Sequence, residues 1–522
     1  MPDEMPNEMP NEMPDRGSQQ TRAVIVIGAG VGGLAAAIRL AAKGHRVTVI
    51  EKLERPGGKL NLLEDHGFRF DTGPSLVTLP WVFEDLFVAA GERLQDHLEL
   101  VRLEPVCQYF YPDGTGFEAS ADLPTMMRNL EQFSPGSGED FMAFFGHAAR
   151  AWRGSRKPFL ESTINSPFDF VRGGVPWADL SALAPWPTLD GLARRFFRDK
   201  RLRQFVGRYA TYTGSSPYKA PGTLSTVLYS EYAFGAWYIK GGLYSLAKAL
   251  ENIARKLGVK FEYNSCVKNI LTEDFTAPIM PDKREIEVSG VQLENDRILR
   301  ADAIVCNADA AHLYENLLEA GLDDRKNKLE PSLSGFAMML GVEGITPGLE
   351  HHNIFFSSDY PLEFKRIFED GRPAENPSIY VCISSKTDAS QAPVGMENWF
   401  VLVNAPPTGR TDWTLEAEPY AQLILQSLAA RGVDIRDRIK VQHIMTPADL
   451  ESRYRTHRGG IYGSSSNTIS SAFLRPKNRA GKVQGLYLAS GSAHPGGGLP
   501  LVMLSGKLAS DALEQDLADH KI

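Results

Sequence analysis

The spacing of hydrophobic positions changes several times along the chain, and those changes divide it. Ala23 to Ile27 is an unbroken, largely β-branched apolar run, the pattern of a parallel strand covered on both faces. It gives way at Gly28-Ala29-Gly30-Val31-Gly32-Gly33 to an alanine-rich stretch with helical character through Lys43, which Gly44 ends; Arg46 to Ile50 then reads as the next strand. From about Pro80 to Gly235 the segment is rich in Phe, Trp, Tyr and Pro and its helical spacing is often interrupted, which predicts a helical lobe inserted into a nucleotide-type fold. Ser245 to Leu257 reads as a helix running into Val259 to Tyr263, and Asp302 to Ala308 as the last central strand. Strand-like runs at Ser378 to Ile383 and Trp399 to Asn404 predict a second sheet, and Gly485 to Gly491 a buried strand followed by a helix from Leu501. The expected fold is α/β. A discontinuous Rossmann-like domain occupies 22–79, 235–330 and 476–522, with a helical lobe at 80–234 and a mixed-sheet substrate domain at 331–475.

Composition narrows the classes without choosing one. With 522 residues, 43% of them hydrophobic and 23% charged, the chain is in the range of ordinary globular proteins. A net charge of -8 provides no general attraction to phosphate backbones, and no nucleic-acid recognition motif occurs, so no nucleic-acid partner is expected. The start of the chain repeats a Met-Pro-Asn/Asp-Glu unit, and residues 1–21 are predicted to be a disordered tail with neither the basic start nor the apolar stretch of a secretory signal. Ala23 to Ile38 is uncharged but glycine-punctuated and too short to span a bilayer, so a cytoplasmic protein without a membrane-crossing helix is expected. The 4 cysteines form no CxxC pair and read as buried small hydrophobes. His351-His352 lacks any carboxylate or HExxH context and reads as a solvated loop, so no metal site is expected.

The glycine segment carries the first chemistry. Strand, glycine turn and helix are followed by Glu51 at the end of the next strand, 18 positions after Gly33. In such a unit Gly28 makes the tight turn, Gly30 lets a pyrophosphate approach, Gly33 allows close helix packing, and the acid accepts ribose hydroxyls. Glu51 in place of a basic residue disfavours a 2′-phosphate. A second glycine pair, Gly57-Gly58-Lys59, follows closely, and then Gly67-Phe68-Arg69-Phe70-Asp71-Thr72-Gly73-Pro74-Ser75 reads as a short strand entering a turn. No further GxGxxG occurs, which argues against reduction by a nicotinamide: electrons come from an organic substrate and leave to oxygen or a quinone.

The residues ERxGGK and GFxFDxGPS resemble the FAD-binding entry of the flavin amine oxidase and phytoene desaturase superfamily. The resemblance implies FAD as cofactor, with Gly57, Gly58 and Lys59 against the pyrophosphate and ribityl, Gly73-Pro74-Ser75 beside the isoalloxazine, and Val267 touching adenine through its main chain. Near the C-terminus, Gly491 closes a strand and His494-Pro495-Gly496-Gly497-Gly498-Leu499-Pro500 opens a helix, where backbone N–H groups favour electron-rich atoms. This element is similar to the C-terminal FAD signature of bacterial carotenoid desaturases, as are the GxWYxKGG and SSPYKAP segments; the diapocarotenoid desaturase and terminal-methyl oxidase branch shares these motifs. Amine oxidases commonly have an acid where this chain has Ser492. The resemblance spans about Arg22 to Leu513 and implies an oxidoreductase that desaturates a lipophilic, phytoene- or diapophytoene-like polyene. Its alternatives are a terminal-methyl oxidase and a non-catalytic prenyl-lipid escort protein.

Two further features bear on that reading. Arg194 to Phe205 joins a dense basic cluster to Phe196, Phe197, Leu202 and Phe205, and reads either as a solvated charged face over a core stripe or as a basic amphipathic helix docking on anionic membrane. Arg153, Arg156, Lys157 and Arg172, among aromatics from Trp152 to Trp177, favour peripheral membrane association. His494 is the titratable residue nearest the flavin-facing glycines, a candidate for proton transfer or for holding the Pro495-Gly496 turn.

Overall fold

The computed structural model describes residues 21–162, 177–276, 284–319, 330–473 and 475–522. The tail at 1–20 lies outside the described residues, as do residues 163–176 with Arg172. The apolar run Ala23–Ile27 is the centre of a five-stranded parallel sheet, in the order Leu486–Leu488, Ala303–Cys306, Ala23–Ile27, Arg46–Ile50, Lys260–Glu262. Its strands come from three separate stretches of chain, the arrangement the discontinuous Rossmann-like reading requires. Helices Val31–Ala42, Tyr244–Lys256 and Leu499–Ala518 cover one face through alanine and leucine side chains. Strands Val267–Thr276, Arg284–Leu293 and Ile298–Arg300 form an antiparallel layer over the other. Burial on both faces is why the central strands Ala23–Ile27 and Ala303–Cys306 are apolar throughout, whereas the edge strand Lys260–Glu262 is not.

A second sheet of seven strands stands beside this domain, in the order Ile439–Met445, Ser334–Glu343, Met396–Ala405, Ile379–Cys382, His352–Phe355, Cys107–Phe110, Gly116–Ala119. Helix Trp413–Ala430 closes one of its faces over Phe336, Trp399 and Val401. The segment 80–234 is therefore not helical throughout: it supplies the last two strands of this sheet as a hairpin. Cys107, Tyr109 and Tyr111 are buried in alternation with Gln108 and Phe110, and Pro112-Asp113-Gly114 makes the turn. The rest of the segment does form helices, principally Leu123–Phe133, Ser137–Ser155 and Ser225–Phe234, whose aromatic faces meet in one core.

The basic segment also differs from its reading as one helix. It is two short helices, Leu189–Phe196 and Lys200–Gly207, broken where the Asp199 carboxylate accepts from the Arg201 N–H at 2.8 Å and starts the second. Phe197, Leu202 and Phe205 are buried in the lobe core, so no apolar face is left for a bilayer. Arg194 pairs with Asp190, and Arg201 with Asp199 and Asp113. Arg195, Arg198 and Lys200 stay exposed, and Trp186, three residues ahead of the first helix, is 83% exposed. Trp152 is buried rather than exposed, and Arg153 and Arg156 pair with Asp179 and Glu161. Among the described residues no helix is long and apolar enough to cross a membrane.

Candidate functional site

The glycine turn is built as its spacing predicts. Gly28 adopts φ +94° and donates its N–H to Ile50 O at 2.8 Å, so the chain turns at the sheet's edge before Gly30 caps the helix. A Cβ on Gly33 would collide with the Gly28 carbonyl oxygen, which accounts for that glycine by helix packing. At Gly30 the space is contested by the protein itself: a Cβ would strike the Asn307 side chain, which arrives from the end of strand Ala303–Cys306 and donates to Ala489 O. Gly57 bridges to Gly30 and donates to Ala29 O at 2.8 Å, and both Gly57 (φ +112°) and Gly58 (φ +60°) lie in the left-handed region.

Glu51 is buried beneath this turn. Its carboxylate accepts from the Ala29 N–H at 2.7 Å and the Leu53 N–H at 2.9 Å; burial raises its pKa, partly opposed by those bonds. Asp71, from the FDxGPS strand, accepts from the N–H groups of Leu243 and Tyr244 and starts helix Tyr244–Lys256; burial raises its pKa to about 6. Ser75 Oγ lies 2.6 Å from Tyr380 OH, joining the turn to the second sheet.

These elements border one cavity of about 610 Å³. Gly28, Gly30, Glu51, Gly57, Gly58, Lys59, Gly73, Pro74, Ser75, Val267, Gly491, Gly497 and Gly498 all line it. Gly33 does not, in keeping with its packing position. His494 does not either: its Nε2 is 3.0 Å from Ser162 O, its ring stands edge-on to Phe159, and burial lowers its pKa to about 4. The proton-transfer candidate therefore stands behind the cavity wall, against Phe159, which lines it.

Sequence reasoning named Lys59 at the site but missed the second cation, Arg475. Lys59 is half-buried and donates to Ile461 O at 2.6 Å, and desolvation lowers its pKa against the pull of Asp309. Arg475 is 7% exposed and donates only to neutral acceptors, Tyr462 O and Ser464 O at 3.0 Å and Gly491 O and Ser466 Oγ at 3.4 Å; desolvation lowers its pKa to about 10. Neither cation forms an ion pair within 4.0 Å among the described residues. Asp309 in the cavity wall pulls on both but lies beyond ion-pair distance, and two cations, one buried and one half-buried, beside a glycine run at a helix N-terminus suit an anion in the cavity. Farther along the cavity wall lies a paired cation: Arg208 donates to Tyr109 OH (2.6 Å) and Tyr212 OH (2.9 Å) and stands 3.7 Å from Glu231. The remaining wall is mostly apolar, from Leu333, Ala337, Ile354, Phe356, Ile379 and Phe400.

A βαβ glycine turn with an acid at the second strand, and two cations outside any ion pair on the wall of the same cavity, define a dinucleotide-cofactor protein. Residues 31–513 match the family of flavin containing amine oxidoreductases, and the chain belongs to that family. It is an FAD-dependent oxidoreductase, and the glycine cradle and the two cations fit that cofactor. It is 35% identical over 507 residues to the 4,4'-diapolycopene oxygenase of Methylomonas sp, covering 96% of this chain and 99% of the relative. Identity is 36% over 501 residues with the zeta-carotene-forming phytoene desaturase of Myxococcus xanthus, covering 95% and 94%. Among solved structures, putrescine oxidase bound to putrescine aligns with TM-score 0.62 at 16% identity, covering 95% of this chain and 99% of that one, which shows the shared fold.

Proposed function

We propose that the protein uses FAD to oxidise a carotenoid-type polyene, introducing a conjugated double bond. The observation that carries this reading is the single cavity shared by the glycine cradle and an apolar wall. It is supported by relatives of nearly equal length whose names place carotenoids as their substrates. FAD is held by Gly28, Gly30, Glu51, Gly57, Gly58, Lys59, the Gly73-Pro74-Ser75 turn, the main chain at Val267, and Gly491, Gly497 and Gly498. When bound, the flavin supplies the two-electron acceptor that oxidation of a C–H bond requires. The chain contributes position and environment. Glu51 has lone pairs left for ribose hydroxyls, Lys59 and Arg475 set positive charge beside the cofactor, and the apolar wall aligns a long hydrocarbon while excluding water. With one GxGxxG in the chain, oxygen or a quinone serves as terminal acceptor.

A second reading, oxidation of a terminal carbon, is favoured by the Arg208 cluster. Arg208 and Tyr212 line the cavity, and Tyr209 and Tyr212 donate to Glu231 at 2.6 and 2.7 Å. A hydrocarbon end offers these groups nothing, whereas an oxygenated end accepts hydrogen bonds from them. The lipid solubility of either substrate also favours docking on a membrane surface, through Trp186, Arg195, Arg198 and Lys200. The deciding experiment is anaerobic bleaching of the bound flavin by polyenes in liposomes, with product spectra. Bleaching with a red-shifted polyene supports desaturation, a carbonyl product supports terminal oxidation, and bleaching by amines alone overturns both.

A further inference from the structure

The pair His351-His352 departs furthest from its sequence reading as a solvated loop. His351 is 4% exposed and His352 1%, because strand His352–Phe355 is an interior strand of the seven-stranded sheet. Strand Ile379–Cys382 runs antiparallel beside it, with His352 directly opposite Cys382. Directly opposed residues project from the same face of a sheet, so imidazole and thiol are neighbours. The His351 ring folds onto that of His352, with centroids 4.4 Å apart. One nitrogen of each ring and the Cys382 sulfur lie within 4.8 Å of one another.

The hydrogen bonds around the rings are one-sided. His351 Nδ1 lies 2.6 Å from Thr387 Oγ1 and His352 Nδ1 2.8 Å from Tyr380 OH. Both Nε2 atoms are inaccessible and without any hydrogen-bond partner. A hydroxyl at Nδ1 can accept that nitrogen's proton and leave the Nε2 lone pair free, as metal-bound histidines require. Burial lowers the pKa of both rings, that of His351 to about 3, so two neutral imidazoles can share the pocket without repulsion.

We propose that His351, His352 and Cys382 form a buried site for a thiophilic metal ion, Zn(II) or Cu(I), separate from the flavin cradle. Two imidazole nitrogens and one sulfur suit these ions and not Mg(II) or Ca(II), which take oxygen ligands. Metal–nitrogen and metal–sulfur bonds of about 2.0–2.3 Å draw the three atoms together by about an ångström, a change that ring rotation supplies. Binding forms the metal–sulfur bond, breaks S–H and releases one proton to solvent. The ion clamps two neighbouring strands and fixes Tyr380, whose hydroxyl also meets Ser75 at the cavity wall.

The test uses the full-length flavoprotein. It is exposed separately to Zn(II) and to Cu(I)-glutathione, passed through a desalting column and analysed for metal and flavin. About one equivalent of one of these ions is expected in the natural protein, with at least a tenfold loss in Cys382→Ser and in His352→Gln at unchanged flavin content. X-ray absorption at the metal edge should then show sulfur and nitrogen neighbours together. Less than about a tenth of an equivalent of either ion in the natural protein overturns the proposal whatever the variants do. So does metal that is retained in both variants, or that has only nitrogen and oxygen neighbours.

Discussion

Arg475 offers the sharpest test of the cofactor site, because among the described residues its charge forms no ion pair and the pull of Asp309 only partly offsets the cost of its burial. Its pKa falls from 12.5 to about 10 on burial, which corresponds to about 3 kcal/mol of unfavourable free energy in the charged form. An anionic group of FAD about 5 Å away would recover a similar amount at an effective dielectric near 20. Replacement by methionine removes both the cost in the empty protein and the gain in the complex. Arg475→Met should therefore weaken FAD by about 1.5–3 kcal/mol, roughly 10- to 150-fold in Kd. The four neutral acceptors of the guanidinium lose partners, so stability falls somewhat too, but the Arg475→Lys variant separates the effects: it keeps the charge while losing the planar donor set. Apoprotein titrated with FAD and followed by quenching of flavin fluorescence yields all three constants. A methionine variant within twofold of the natural protein would refute the electrostatic argument. Equal weakening by lysine and methionine would also refute it, since hydrogen bonding and not charge would then be what the site uses.

Three further outcomes follow from the geometry. Glu363 is buried beside Ser378 and Asn404, and burial raises its pKa from 4.5 to about 7, so its favourable contribution is full below pH 4.5 and is lost as pH rises through 7. Glu363→Gln should remove a fall of about 3 kcal/mol in unfolding free energy between pH 4.5 and 8, measured with denaturant; parallel pH curves for both proteins would sink this assignment. His494→Ala should keep flavin and slow turnover less than tenfold with an unchanged pH profile, because the ring does not line the cavity but packs behind Phe159, which does; a loss of about 10²-fold or more would restore it as a proton-transfer residue. Neutralisation of Arg195 and Arg198 to Gln should weaken binding to anionic liposomes at low salt by about 30-fold, at about 1 kcal/mol per cation lost, whereas the same change at the paired Arg201 should do less; equal flotation of all variants would remove the membrane surface from the reading.

The cofactor half of the molecule was legible because its signals are local. Gly28, Gly30, Gly33 and Glu51 occupy one βαβ unit, and each glycine has a steric reason within a few residues or one strand of itself. The hairpin at Cys107–Phe110 and Gly116–Ala119 was legible too, from its alternation and its Pro-Asp-Gly turn, but the aromatic richness of the surrounding segment masked a period of two. Asp199 announced a second helix start within the basic segment. Read across that cap, two faces that point into the core became one imagined amphipathic face.

What stayed hidden depends on residues distant in the chain. Arg475 opens a short basic run, Arg475, Lys477 and Arg479, behind a serine-rich stretch, and its significance comes from where the neighbouring backbone carbonyls point and from the glycines they approach. No spacing rule encodes a cation whose nearest acid, Asp309, stands beyond ion-pair distance. His351 and His352 look polar because composition weighs a residue by its side chain, whereas burial here is imposed by pairing with a strand some thirty positions later. The same pairing that buries two imidazoles also brings a thiol beside them. That is why a dipeptide with no metal-binding context in sequence acquires one in the fold, and why the cavity's polar features, Arg208 with its tyrosines as well as Arg475, emerge only once three chain segments and two sheets have closed around it.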